Sequence, residues 1–159
     1  MPDPTITAAR EIVEESIDGI RGAIAGLGAD ALNWRPSDEG TNPIAVLAVH
    51  AMHSTRSWLA VAMGAPLPDR DRDAEFRTVV ADPRELLATV GRLAAACGAL
   101  LATEDAFEPA TMRESHFRAS LGRAELVSGA WALLHAVEHL REHTGHAQLT
   151  RQLWDQREG

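Results

Sequence analysis

Apolar residues recur at helical spacing along four stretches of the chain, and the first two stretches lie in its N-terminal part. Residues 5–26 carry isoleucine and valine at intervals of three and four and end on glycine, which predicts a first helix. A second helix is predicted to open at Asn42-Pro43, with Asn42 as its cap, and to close at Gly64-Ala65-Pro66. Residues 30–41 lie between these helices, contain proline and glycine, and are predicted to form a loop.

Two further helices are predicted in the C-terminal half. Asp82-Pro83 is a typical helix start and leads into an apolar run over residues 86–101. Ser128 can cap a last helix that runs to about residue 156. Residues 66–80 carry charges of alternating sign, so this connection is predicted to be a solvated loop. Residues 103–127 show no clear period, and both short helical turns and an irregular crossover stay open for them.

Four long amphipathic helices without a strand pattern indicate an all-α protein. The expected architecture is a four-helix bundle with a long crossover connection before the last helix. At 159 residues, the chain is expected to form one domain over residues 1–159 with a sizeable core.

Composition and charge exclude several classes of function. A net charge of -8 argues against nucleic acid as a partner, because that affinity comes mainly from neutralising phosphates. The single cysteine, Cys97, rules out an intramolecular disulfide framework and is expected to be a packed thiol. The acidic N-terminus lacks a signal-peptide core, and no window approaches the roughly 20 apolar residues of a membrane span. No membrane partner is therefore expected, and the predicted location is cytoplasmic.

The candidate chemistry lies in the last predicted helix, which contains four of the seven histidines: His135, His139, His143 and His146. On a helix these four fall within roughly 80° of one another. Imidazoles at i and i+4 can close on one ion, and imidazole suits zinc, nickel, copper and iron. The alternative is a solvated face that happens to be rich in histidine. Four histidines on one narrow arc beside an apolar arc favour a ligand site.

Further candidate groups lie in the second helix and beside the histidine arc. His50 borders the apolar arc of the second helix, whereas His53 points about 60° further towards solvent. His50 is therefore predicted to face inward, and His53 to be a surface or supporting group. Glu138 and Glu142 flank the histidine arc and could orient an imidazole or accept a proton. The alternative for each is a solvated carboxylate on the helix surface.

Two stretches of the sequence resemble the DinB superfamily, also called the DinB/YfiT-like metalloenzymes. They are WRPSDEGTNPIAVLAVHAMHSTRSWL (34–59) and LLHAVEHLREHTGHAQLTRQLW (133–154), and helix order and spacing agree along nearly the whole chain. The resemblance implies that His50, His139 and His143 bind one divalent metal, with zinc or nickel favoured. His135, His146 and His53 are further donors close by in the sequence, so other ligand sets stay open. His146 stands where many members of the family carry a glutamine.

The same resemblance implies a class of function. Relatives include transferases and isomerases that depend on low-molecular-weight thiols such as mycothiol and bacillithiol. The expected function is therefore that of a metal-dependent enzyme acting on a small-molecule substrate, as a thiol S-transferase or isomerase or as a hydrolase. The alternative is a non-catalytic binding or stress-response module, with or without metal. A homodimer is expected from the resemblance and from the small and apolar residues of the third helix.

Overall fold

The computed structural model describes residues 3–103, 107–115 and 125–157. Within these ranges the chain is mostly helical, with six helices and one antiparallel pair of short strands. In chain order the elements are α1 (Pro4–Ile24), α2 (Ala29–Asn33), α3 (Ile44–Met63), α4 (Arg72–Phe76), α5 (Pro83–Leu101), β1 (Met112–Ser115), β2 (Glu125–Ser128) and α6 (Gly129–Arg157).

The four long helices begin and end close to the predicted positions, because local signals set their ends. The Asp82 carboxylate caps α5 by accepting a hydrogen bond from the backbone N–H of Arg84, and the Ser128 hydroxyl accepts one from the N–H of Trp131. Gly64 ends α3 in the left-handed conformation, with φ of 65°. The prediction that Asn42 caps α3 was wrong. Pro43 holds the cap position, and no side-chain hydrogen bond is made there.

Helix α3 is the central element, since almost every one of its residues is buried. It packs mainly against α6 and α5, and α1 packs against the same two helices. All four long helices contribute fully buried side chains to one core, including Ile6, Ile20, Met52, Leu59, Leu101, Leu133 and Leu140. No helix in the described ranges is both long enough and apolar enough to cross a lipid bilayer.

The expectation that strands are absent was wrong for part of the connection between α5 and α6. Strand β1 pairs antiparallel with β2, from Met112 opposite Ser128 to Ser115 opposite Glu125. Four residues per strand are too few for an alternating pattern to stand out from a loop. Arg113 in β1 donates a hydrogen bond to the carbonyl of Ala62, which ties the hairpin to the end of α3. Residues 116–124 of this connection lie outside the described residues.

Helices α1 and α6 approach closely at Gly19. A Cβ atom on Gly19 would lie 2.6 Å from Cγ2 of Thr144, whereas a Cβ atom on Gly22, one turn further along, would meet nothing within 4 Å. The Thr144 side chain cannot turn away freely, because its hydroxyl lies 2.8 Å from the carbonyl oxygen of Leu140 and 3.2 Å from that of Ser16.

We expect Gly19→Ala and Gly22→Ala to change stability in opposite directions. Alanine adds up to about 1 kcal/mol of helix propensity at either position. At Gly19 it also overpacks the contact with Thr144, a change that typically costs about 1–3 kcal/mol. The measurement is the free energy of unfolding in urea. Adding Thr144→Ser, which removes Cγ2 and keeps the hydroxyl, should restore the stability of Gly19→Ala; equal effects of the two alanines would contradict the close contact.

Candidate metal centre

Three histidines from two helices converge where α3 packs against α6. His50 lies in the middle of α3, and His139 and His143 are one turn apart on α6, so their side chains project from the same side of that helix. Both helices carry small, fully buried residues, which allow close packing of helices, including Ala48, Ala51, Ala132 and Ala136.

The geometry of the three rings fits one metal ion. Nε2 of His139 and Nε2 of His143 are 3.2 Å apart. The ring centroid of His50 lies 5.2 Å from that of His139 and 5.0 Å from that of His143. One ring nitrogen from each residue lies within 4.8 Å of the other two. Two nitrogen ligands of a tetrahedral zinc ion are about 3.3 Å apart, and the pair on α6 is close to that separation.

The electrostatics of the pair on α6 also suit a metal. Burial lowers the pKa of His139 to about 3, and the neighbouring His143 and His50 add to this effect. Burial lowers the pKa of His143 to about 4, again with a contribution from His50. Both imidazoles are therefore neutral at pH 7, which is the form that coordinates a metal.

Only one of the three histidines has a protein partner on its second nitrogen, among the residues that the structure describes. Nδ1 of His139 and Nδ1 of His143 are buried and make no hydrogen bond there. Nδ1 of His50, in contrast, lies 2.8 Å from Oε2 of Glu75. The two rings on α6 are therefore held by packing and by the contact between their own Nε2 atoms, while a hydrogen bond to Glu75 holds the ring on α3.

Glu75 lies in the charged connection between α3 and α5. The prediction of a solvated loop over residues 66–80 was wrong at this point, since Glu75 is in α4 and is only 4% exposed. Arg70 donates from Nε to Oε1 of Glu75 at 2.7 Å and from Nη2 to Oε2 at 2.9 Å. Burial by itself raises the pKa of the Glu75 carboxyl, but hydrogen bonds from Arg70 and His50 bring it down to about 2.

One local signal for α4 was present in the sequence. The Asp71 carboxylate accepts a hydrogen bond from the backbone N–H of Ala74, as a helix cap does. Because charges of both signs alternate along the segment, its sequence did not predict that Glu75 would be buried. No sequence pattern links Glu75 to His50, which lies 25 positions earlier in the chain.

The other histidines predicted as supporting groups lie around the three. His135 stacks on Trp131, with ring centroids 4.8 Å apart, and its Nδ1 is 3.2 Å from the carboxylate of Glu138. His146 is exposed, with its ring centroid 5.6 Å from that of His143. His53 is half-buried, and burial lowers its pKa.

The two predicted carboxylates lie on the outside of α6. Glu138 is exposed and contacts His135, which is not one of the three converging histidines. Glu142 is also exposed, and its charge opposes the lowering of the pKa of His143. The carboxylate that does contact a converging histidine is Glu75, on α4.

A cleft of about 280 Å³ lies beside His143, one of the three converging histidines. The loop before α3, the first turn of α3 and the exposed side of α6 line it. None of the described lining residues carries a carboxylate or a guanidinium group. They are Pro36, Gly40, Thr41, Asn42, Leu47, His143, His146, Leu149, Thr150 and Leu153. The cleft therefore reaches His143 through a lining without charged side chains among the described residues.

Comparison with known proteins identifies the family of this chain and a solved structure with a similar fold. The family model of the DinB superfamily matches residues 12–147. A solved structure titled "Crystal structure of the conserved protein of locus from Enterococcus faecalis" superposes with a TM-score of 0.69 at 15% sequence identity. The superposition covers 92% of this chain and 95% of that one, and at this identity it shows the fold alone. No curated protein matches the sequence.

We expect Glu75→Leu to lower the free energy of unfolding by about 3–5 kcal/mol, because it breaks a buried ion pair and leaves the charge of Arg70 behind. The double variant Arg70→Met/Glu75→Leu replaces the pair with apolar groups and should recover most of that loss. Urea denaturation of Glu75→Leu, Arg70→Met, the double variant and the wild type, all in the presence of a chelator, measures the coupling free energy between the two side chains. Additive losses would mean that the two side chains do not stabilise each other.

Proposed function

The chain belongs to the DinB superfamily, and from that premise we propose that it binds one divalent metal ion through His50, His139 and His143 and acts there on a small molecule. The observation that carries the proposal is the convergence of three ring nitrogens within 4.8 Å from two helices. Zinc or nickel is the proposed ion, because an all-imidazole donor set suits both.

An ion held by three imidazoles supplies Lewis acidity and at least one open coordination position, where a thiol or water becomes a stronger nucleophile. The chain's own residues supply the surroundings. Burial keeps the imidazoles of His139 and His143 neutral, and the packed core behind His50 excludes water from that side.

We propose that the cleft beside His143 holds the substrate. Leu47, Leu149 and Leu153 offer apolar surface, and the Asn42 amide can donate or accept a hydrogen bond. This lining favours a neutral electrophile with an apolar body. In the proposed reaction the sulfur of a low-molecular-weight thiol forms a bond to the electrophilic carbon, the bond from that carbon to its leaving group breaks, and the thiol proton is released. The alternative is isomerisation of the electrophile with the thiol as cofactor.

The proposal includes the architecture of the superfamily. Helices α1, α3, α5 and α6 would form its four-helix bundle, with the connection between α5 and α6 as the long crossover. The packing of both α1 and α3 against α5 and α6 supports this arrangement.

We expect untagged protein to bind one divalent ion per chain, measured by elemental analysis and calorimetry. His50→Ala, His139→Ala and His143→Ala should each abolish stoichiometric binding, because two imidazoles hold an ion poorly. The matched control is His53→Ala, three residues from His50 on α3, which should bind nearly as the wild type does. If His135→Ala removes the ion and His143→Ala does not, the ligand set is displaced by one helical turn.

We expect the metal-loaded protein to form a thiol conjugate when mycothiol, bacillithiol and glutathione are each offered with apolar electrophiles. Mass spectrometry detects the conjugate, and His143→Ala should abolish its formation. If none of the three thiols binds the metal-loaded protein, the transferase function is wrong, and hydrolysis or non-catalytic binding takes its place.

A further inference from the structure

The only buried carboxylate–guanidinium pair in the described part of the chain touches one of the converging histidines. The side chains of Glu75 and Arg70 are 4% and 8% exposed, and that of His50 is 7% exposed. Bringing these charges out of water is expensive unless each group is well paired. Both oxygens of Glu75 accept hydrogen bonds from Arg70, and Oε2 also lies 2.8 Å from Nδ1 of His50.

This arrangement determines where the proton of the His50 ring lies. Both oxygens of the carboxylate already act as acceptors towards Arg70, so the short contact with His50 requires the imidazole to donate from Nδ1. The opposite tautomer would place the lone pair of Nδ1 against an oxygen at 2.8 Å. In that tautomer Nδ1 would need a donor, and the Nη2 atom of Arg70 is 3.5 Å from it. The lone pair of the ring therefore lies on Nε2, the nitrogen that is left for a metal.

Helix α4 holds the same ring in a second way. The ring of Phe76, the residue after Glu75, lies 4.6 Å from the ring of His50. The guanidinium of Arg72 lies over the ring of Phe76, 4.8 Å from the ring centroid. Glu75 thus fixes the tautomer and direction of the His50 ring, and Phe76 packs against it.

We propose that Glu75, held by Arg70, is a positioning residue that orients His50 for metal binding and so makes His50, not His53, the ligand from α3. The inference rests on the proposed metal-binding function. Carboxylate partners of this kind fix the ligand's tautomer and raise its basicity, and their loss typically weakens metal binding about 10–100-fold. His139 and His143 have no such partner in the described part of the chain.

The first test is Glu75→Gln, measured by competition with a chelator for zinc. Glutamine has one acceptor oxygen. If that oxygen faces Arg70, the amide N–H faces Nδ1 of His50 and moves the ring proton to Nε2. We expect one ion per chain, bound about 10–100-fold more weakly than by the wild type. Asp73→Asn is the matched control, because it makes the same change of charge on an exposed residue of the same helix and should leave affinity unchanged.

The second test needs no metal. Nitrogen chemical shifts of the histidine rings in chelator-treated protein report the tautomer directly. We expect His50 to carry its proton on Nδ1 in the wild type and in Asp73→Asn, and to lose this preference in Glu75→Gln. A residue with only a general structural role would not move this signal while the fold is kept.

A third variant covers the case in which Glu75→Gln does not fold. Arg70→Lys keeps the positive charge but loses the two-point contact with Glu75. We expect it to weaken zinc binding and to reduce the preference of His50 for a proton on Nδ1, because the carboxylate of Glu75 is then held less firmly.

The outcomes separate the inference from the function on which it rests. If the wild type binds no divalent ion, the proposed metal function is wrong and the inference falls with it. If the wild type binds zinc, and the Glu75 and Arg70 variants match its affinity and its His50 tautomer, only the positioning role is overturned.

Discussion

The packing of α3 against α6 is the contact on which the rest of the structure depends. Together with the packing of α5, it buries nearly the whole of α3, and it brings His50 to the pair of histidines on α6. Moving one helix by a single turn would displace its side chains by about 5.4 Å, more than the whole spread of the three donors. Both helices carry buried alanines, and such small residues allow helices to approach closely. The same packing that forms the core therefore also determines the geometry of the candidate site.

The candidate site consists of polar groups beside an apolar core, and the free-energy cost of burying them is reduced in different ways. The two imidazoles on α6 are kept neutral by their burial. The charges of Glu75 and Arg70 are kept, but they neutralise each other at close range. His50 lies between the two sets, with one nitrogen towards the ion pair and the ring towards the other histidines. Removing Glu75 or Arg70 would leave the other charge buried without this partner, which costs free energy.

The likeness to the Enterococcus faecalis structure illustrates what a fold shares and what it leaves free. At 15% identity most side chains differ, yet the backbones superpose over nearly the whole of both chains. Helix packing tolerates such change as long as volume and apolar pattern are kept. Chemistry does not follow from the fold in the same way, because it depends on particular side chains. In this chain the candidates are the three histidines of two packed helices and the ion pair behind one of them.

The sequence by itself determined the four long helices, because their apolar period and their caps, such as Asp82 and Ser128, act over a few residues. Helical angles favoured His50 over His53, and the resemblance to the DinB superfamily selected His139 and His143 among the four histidines of the last helix. These three lie together in the structure, and that they bind a metal stays a prediction. Only the tertiary structure decided that Glu75 is buried against His50 and that a charged connection forms a wall of the site. It likewise decided the pairing of β1 with β2. Contacts between residues far apart in the chain depend on how the helices pack. A local pattern of charge does not distinguish a solvated segment from one that packs against the core.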